Sequence, residues 1–247
     1  MTKAEIQFVR SLADKRTRDS EQLFVAEGTK LIDEIRQSRA KIRHIYTTRH
    51  EITGDNVTLV ERRDMERISQ LKTPSDCLAI VEQPRHKLSL ETLSTSLILA
   101  LDGVQNPGNV GTIVRLADWF GVEDILCSKE CADIYNPKVV QATMGALLRV
   151  RVHYVDNLAE ILSSAAKEGT PIYGTLLDGN NIYSETLAKR GIIVMGNEGQ
   201  GVSDECRKSL THKLFIPPYP ADRPTSESLN VAMATGIILA EFRRAAK

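Results

Sequence analysis

A chain of 247 residues, 42% of them hydrophobic, is long enough for one large domain or two modest ones with real cores. Its charges cancel, 32 basic against 32 acidic, which excludes a tail-driven, indiscriminate polyanion binder but not an enzyme that grips RNA through a local basic patch. Four scattered cysteines, with Cys127 and Cys131 as a lone C-x-x-x-C, match neither a disulfide framework nor a zinc site, and no apolar run approaches the roughly 20 residues of a membrane span. The expectation is a cytoplasmic protein with free thiols and no metal.

Residues 1–84 read as a small α/β unit. Ile6, Val9, Leu12 and Ala13 have helical spacing; Phe24 to Gly28 reads as a short strand closed by a glycine; Leu31, Ile32 and Ile35 share one face of a helix over 30–38. Strands are expected at 42–47, 57–60 and 77–81, and a short helix at 64–71 ended by Thr73-Pro74. Residues 1–49 hold eleven basic against seven acidic side chains, and the cluster of Arg10, Lys15, Arg16 and Arg18 is the candidate for phosphate contact. Residues 85–96 are polar and read as a linker.

From Leu97 the pattern becomes regular. Strands are expected at 97–102, 123–127, 150–154, 171–176, 191–195 and 213–216, and helices at 110–120, 137–147, 157–168, 203–209 and 228–245. Short apolar strands alternating with helices argue a mainly parallel sheet covered on both faces, within one domain spanning 97–247.

Three polar segments interrupt this second half, each after a strand. Asn106-Pro107-Gly108-Asn109-Val110-Gly111-Thr112-Ile113-Val114-Arg115 sits between a strand end and a helix start, where open α/β sheets bind ligands. Asn109 reads as the helix N-cap, and Arg115, less than two turns on, is a fixed cation suited to phosphate or carboxylate. Met195-Gly196-Asn197-Glu198-Gly199-Gln200-Gly201 has three glycines in six positions, which serve close backbone approach rather than helix or strand stability. Its G-x-x-G-x-G spacing is neither a dinucleotide fingerprint nor a phosphate loop. The third segment runs from Phe215-Ile216-Pro217-Pro218 to Ser228-Leu229-Asn230-Val231; Glu227 or Ser228 is the expected cap of the last helix, which leaves Asn230 as a polar residue just inside an apolar helix.

In this order, the three segments resemble the motifs of the SpoU (TrmH-like) RNA ribose methyltransferases of the SPOUT superfamily. The first half resembles the family's substrate-binding domain more loosely, through Phe24 to Gly28 and Leu78-Ala79-Ile80-Val81. The resemblance implies a parallel α/β domain ending in a deep trefoil knot, S-adenosylmethionine as cofactor, a ribose 2′-hydroxyl of ribosomal or transfer RNA as methyl acceptor, and a homodimer. It implies cofactor contacts, largely through main-chain groups, from Met195, Gly196, Asn197, Ile216, Pro218, Ser228, Leu229 and Val231. The implied catalytic set is Arg115 with Asn109, Glu198, Ser228 and Asn230, Arg115 acting either as base or as a group that orients the hydroxyl and its phosphate.

The chain departs from the family pattern in a longer, proline-rich loop over Pro218–Glu227, and in Gln141 and Thr143, where the family often carries arginine and serine. Lys138, Arg149 and Arg151 stand as substitutes for that arginine. Two other readings remain at this point: a non-catalytic RNA-binding relative with the same fold, and an α/β enzyme using a nucleotide.

Overall fold

The computed structural model describes residues 1–220, 226 and 228–244. In chain order the elements are α1 (Lys3–Ser11), α2 (Lys15–Glu21), β1 (Leu23–Glu27), α3 (Thr29–Gln37), β2 (Ile42–Thr47), β3 (Val57–Leu59), α4 (Arg62–Ile68), β4 (Cys77–Glu82), α5 (Leu90–Thr95), β5 (Leu97–Asp102), α6 (Pro107–Trp119), β6 (Asp124–Ser128), α7 (Pro137–Thr143), β7 (Arg151–Val155), α8 (Leu158–Lys167), β8 (Ile172–Asn181), β9 (Gly191–Gly196), α9 (Asp204–Arg207), β10 (His212–Phe215) and α10 (Val231–Arg244). Among the described residues no helix is long and apolar enough to cross a membrane.

The chain forms two compact units. The first holds residues 1–85 and also 133–148, a stretch inside the span 97–247 that the sequence reads as one domain; the second holds residues 86–132 and 149–247. In the first unit β4 lies antiparallel between β1 and β2, and β3 adds parallel to β2, in the order β1-β4-β2-β3. Ile6, Val9, Met65 and Ile68 of α1 and α4 pack on one core with Leu23, Val25, Leu78 and Ile80.

The 133–148 stretch belongs with this unit through specific bonds. Tyr135 meets Phe24 with ring centroids 4.9 Å apart. Gln141 donates its side-chain amide to the Glu27 carbonyl at 2.6 Å, which gives the residue in the family's arginine position a packing role. The Arg18 guanidinium donates to Asp133 Oδ2 at 2.6 Å and to the carbonyls of Leu12 and Ala13 at 2.9 and 2.7 Å.

Arg18 therefore leaves the proposed phosphate cluster: it is 2% exposed, and its charge is matched internally. Burying an arginine is tolerable only with such pairing. Arg18 is also why α2 escaped the sequence reading. The helix KRTRDSE has no apolar stripe because its one buried residue is a cation, while Asp14 caps it and Gln22, at φ +55°, ends it. Arg10, Lys15 and Arg16 stay exposed, Lys15 paired with Asp19 at 2.8 Å.

In the second unit all six strands run parallel, in the order β10-β8-β9-β5-β6-β7. Parallel strands are buried on both faces, which explains the unbroken apolar runs of β5 and β9. Ile98 and Ala100 of β5 share a core with Ile192 and Val194 of β9 and with Leu158 and Leu162 of α8. Since every strand points the same way, the turns after β5, β9 and β10 open on one edge of the sheet, and these are the three polar segments.

Several boundaries differ from the sequence reading, each for a local reason. Helix α6 begins at Pro107 because Asn106, not Asn109, is its cap, accepting from the Gly108 and Asn109 amides at 2.8 and 3.3 Å. Helix α7 stops at Thr143 because Met144 takes φ +50°. Helix α10 begins at Val231 rather than 228, and the supposed linker carries α5, capped by Ser89.

Replacing Asp133 with alanine strands the Arg18 charge in the first unit's interior. The expected cost is about 3–5 kcal/mol of unfolding free energy, measurable by urea denaturation, with Arg10→Ala as the near-neutral control.

Candidate active site

The first motif leaves β5 at Asp102 and turns at Gly103, whose φ of +70° suits glycine. The turn is pinned from two sides: the Gly103 amide donates to Ser128 Oγ at 3.0 Å, and its carbonyl accepts from Asn197 Nδ2 at 2.7 Å. Asp102 itself accepts from the Ser203 amide at 2.7 Å and so holds the start of α9.

The second motif is a doubled-back loop. Asn197 and Gly201 exchange two main-chain hydrogen bonds of 2.9 Å each, and Asn197 Oδ1 accepts from the Gly199 and Gln200 amides. Gly196 is obligatory here, because a Cβ on it would lie 2.2 Å from the Gly201 carbonyl carbon. The fold-back presents Glu198 to the first motif. Its Oε1 accepts from the Asn106 amide at 3.2 Å and from Asn109 Nδ2 at 2.9 Å, and its Oε2 from the Gln105 amide at 3.4 Å. A carboxylate here also meets the positive end of the α6 dipole. Partial desolvation pushes its pKa up, but the bonds from Asn109, Asn106 and Gln105 outweigh it, and the net shift is downward.

The third motif joins through Asn230, whose Nδ2 donates to Asn109 Oδ1 at 3.0 Å. Its Oδ1 accepts from the Ala232 and Met233 amides at 3.0 and 3.3 Å, so Asn230 is the N-cap of α10. The sequence reading set it inside the helix and sought the cap in Glu227 or Ser228. Glu227 lies outside the described residues, and Asn230 fills the capping role while its amide nitrogen reaches across to α6. Asn109, freed from capping by Asn106, becomes the middle link between Asn230 and Glu198.

Arg115 is exposed on the same helix and makes no hydrogen bond or ion pair with another described residue. It stands six residues beyond Asn109, about 9 Å along the helix axis. Ser228 is exposed two residues before Asn230. Arg149 and Arg151, expected as substitutes for the family's phosphate-gripping arginine, are committed elsewhere: Arg149 clasps Asp118 at 2.8–3.0 Å, and Arg151 holds Asp124 at 2.6 and 2.8 Å and Glu123 at 3.1 Å.

The residues implied for the cofactor divide by exposure. Met195 and Gly196 are buried at the end of β9, and Val231 at the start of α10. Ile216 and Pro218 are half-buried after β10, whereas Leu229 is 49% exposed. The main-chain groups of Ser228 and Leu229 make no hydrogen bond to another described residue. An exposed aliphatic side chain beside unspent main-chain donors and acceptors suits a flat, polar-edged heterocycle such as adenine. Of the loop over Pro218–Glu227, residues 221–225 and 227 lie outside the described residues.

Sequence reasoning missed Asn106, although Asn-Pro at a helix start is itself a cap signal, with proline in the first helical position. It also missed the amides of Gln105 and Asn106 that donate to Glu198, which no sequence pattern marks.

Comparison with known proteins bears on this arrangement. Residues 96–240 match the SpoU rRNA Methylase family, and residues 3–79 the MRM3-like substrate binding domain. Over 241 residues the chain is 28% identical to the Bacillus subtilis 23S rRNA (guanosine(2553)-2'-O)-methyltransferase RlmP, covering 95% of this chain and 94% of the other. A TrmH-family protein of Porphyromonas gingivalis superposes with a TM-score of 0.88 at 37% identity, covering 99% of this chain and 98% of that one. An AdoMet-bound rRNA methyltransferase from Sinorhizobium meliloti does so with a TM-score of 0.85 at 28% identity, covering 99% and 95%.

Proposed function

The chain belongs to the SpoU rRNA methylase family, and from that premise we propose that it transfers a methyl group from S-adenosylmethionine to a ribose 2′-hydroxyl of ribosomal RNA. The observation that carries this reading is the hydrogen-bonded line from Asn230 through Asn109 to Glu198, which joins three motifs far apart in sequence at one sheet edge. A relative that had lost catalysis would have no need of that line together with an exposed Arg115 that pairs with no described residue.

The cofactor supplies a methyl group on a sulfonium, which is already electrophilic. What the protein must add is a binding cradle, a positioned hydroxyl and a path for its proton. Leu229, Ile216 and the main chain around Gly196, Asn197 and Ser228 have the mixed apolar and main-chain character that the adenosyl moiety requires, with Met195, Pro218 and Val231 behind them. We assign Arg115 to the ribose hydroxyl and its neighbouring phosphate. A guanidinium is a fixed cation with a planar fork of N–H donors, so orientation and charge compensation are its natural work. Asn109, Glu198 and Asn230 hold the first motif in place, and the Ser228 hydroxyl lies on the segment that approaches the cofactor.

Residues 1–84 serve in this reading as the RNA-binding domain, with Arg10, Lys15 and Arg16 as its exposed cations; the match over residues 3–79 supports this. The second unit is read as ending in a deep trefoil knot, as the resemblance to the family implies. A homodimer belongs to the same reading, supported by the exposed Met233 on α10 and the exposed Trp119 at the end of the adjoining α6. Free buried cysteines fit the reducing cytoplasm.

With tritiated S-adenosylmethionine and unmodified 23S RNA, Arg115→Ala is expected to lower methyl transfer about 100- to 1000-fold while cofactor affinity changes less than about twofold. Normal turnover would remove Arg115 from the site. Sedimentation at the mass of a single 27.4 kDa chain would contradict the homodimer.

A further inference from the structure

We propose that Tyr219 is a specificity residue that stacks on an unpaired RNA base next to the methylated nucleotide; this rests on the methyltransferase reading. Tyr219 is 98% exposed, more than any other large hydrophobic residue described. A fully hydrated tyrosine ring adds nothing to folding, and its apolar faces remain available for a partner.

Three features favour an RNA base as that partner. The first is position. Tyr219 follows β10 by four residues, on the sheet edge where the three motifs converge. The exposed Trp119, by contrast, sits at the far end of α6, about 18 Å along the axis from the helix start.

The second feature is presentation. Ile216, Pro217 and Tyr219 each precede a proline, which biases them to extended backbone, and Pro217, Pro218 and Pro220 have fixed φ. The ring is thus carried on a proline-stiffened strip at most about 11 Å from Ile216, at the point where the chain bends, within reach of the base beside a ribose placed for methyl transfer. A tyrosine has few side-chain torsions to freeze on binding, so little affinity is lost to ordering.

The third feature is charge. With 32 basic and 32 acidic residues the chain draws little on counterion release, and of its candidate phosphate grips Arg18, Arg149 and Arg151 are committed to internal carboxylates. Recognition then has to draw on contacts that do not depend on net charge. Aromatic stacking on splayed bases is the usual one for single-stranded RNA. The loop is also where the chain departs from the pattern of the family it resembles, as a determinant of its own target would.

The test uses full-length protein and 23S ribosomal RNA transcribed in vitro. RNA affinity is read by filter binding, methyl-transfer kinetics with tritiated cofactor, cofactor affinity by calorimetry and mass by sedimentation. Tyr219→Ala is expected to raise the RNA Kd and KM by about 5- to 100-fold, with cofactor affinity and sedimentation unchanged. Tyr219→Phe and Tyr219→Trp should restore binding, since either ring stacks. An RNA Kd unchanged in Tyr219→Ala would overturn the proposal. So would a matching loss of cofactor affinity, which would make the ring part of the cofactor wall, or dissociation of a dimer, which would make it a subunit contact. Wild-type protein that binds this RNA without methylating it would contradict the methyltransferase reading, and the Kd ratio would still decide the role of Tyr219.

Discussion

The Glu198 carboxylate is the group on which the rest of the site depends. Its two oxygens gather the Gln105 and Asn106 amides and the Asn109 side chain, and Asn109 in turn receives Asn230. The bonded residues are 89 and 121 positions apart in sequence. A few hydrogen bonds, those to Glu198 charge-assisted and that between Asn230 and Asn109 neutral, therefore close two long loops of chain at one point. Without the carboxylate, the amides that precede α6 would have to find water, and the amide of Asn109 would lose the partner that orients it toward Asn230.

That point of closure is possible only because the scaffold is entirely parallel. In a parallel sheet every strand delivers its following turn to the same edge, so motifs after β5, β9 and β10 meet without long excursions. Gly196 and Gly103 permit the last approach: the former leaves no room for a side chain against Gly201, and the latter turns the chain beneath Asn197. Arg115 stands outside this hydrogen-bonded line. Asn106, Asn109, Asn197, Glu198 and Asn230 are hydrogen-bonded to one another or to nearby main chain, whereas Arg115 makes no hydrogen bond or ion pair with another described residue.

Much of this was legible in the sequence because the determinants are local. Five of the six strands of the second unit begin and end within one residue of their expected positions, since buried parallel strands read as apolar runs bounded by glycine and polar turns, whereas β8 continues five residues past its expected end, to Asn181, through a mostly polar and largely exposed stretch. The site segments were legible for the opposite reason, as glycine and asparagine clusters that serve no helix or strand. What escaped was anything set by partners distant in sequence. Arg18 looked like a surface cation because its carboxylate, Asp133, comes 115 residues later. Asn109 and Asn230 were assigned the wrong sides of their helix starts because each start offers more than one competent cap, Asn106 or Asn109 for α6 and Glu227, Ser228 or Asn230 for α10. The inclusion of residues 133–148 in the first unit had no signature either, since its anchors, Tyr135 and Gln141, are ordinary residues until Phe24 and the Glu27 carbonyl are placed beside them.

The account stands on the claim that Asn109 and Glu198 act as one unit in holding the motifs together. A double-mutant cycle measures this directly, with kcat/KM for methyl transfer to 23S RNA determined for Asn109→Ala, Glu198→Ala and the double variant. The predicted result is that the double variant is little worse than the more damaged single one, a coupling of about 1–3 kcal/mol. Fully additive losses would mean that the two side chains work independently, and would contradict the account.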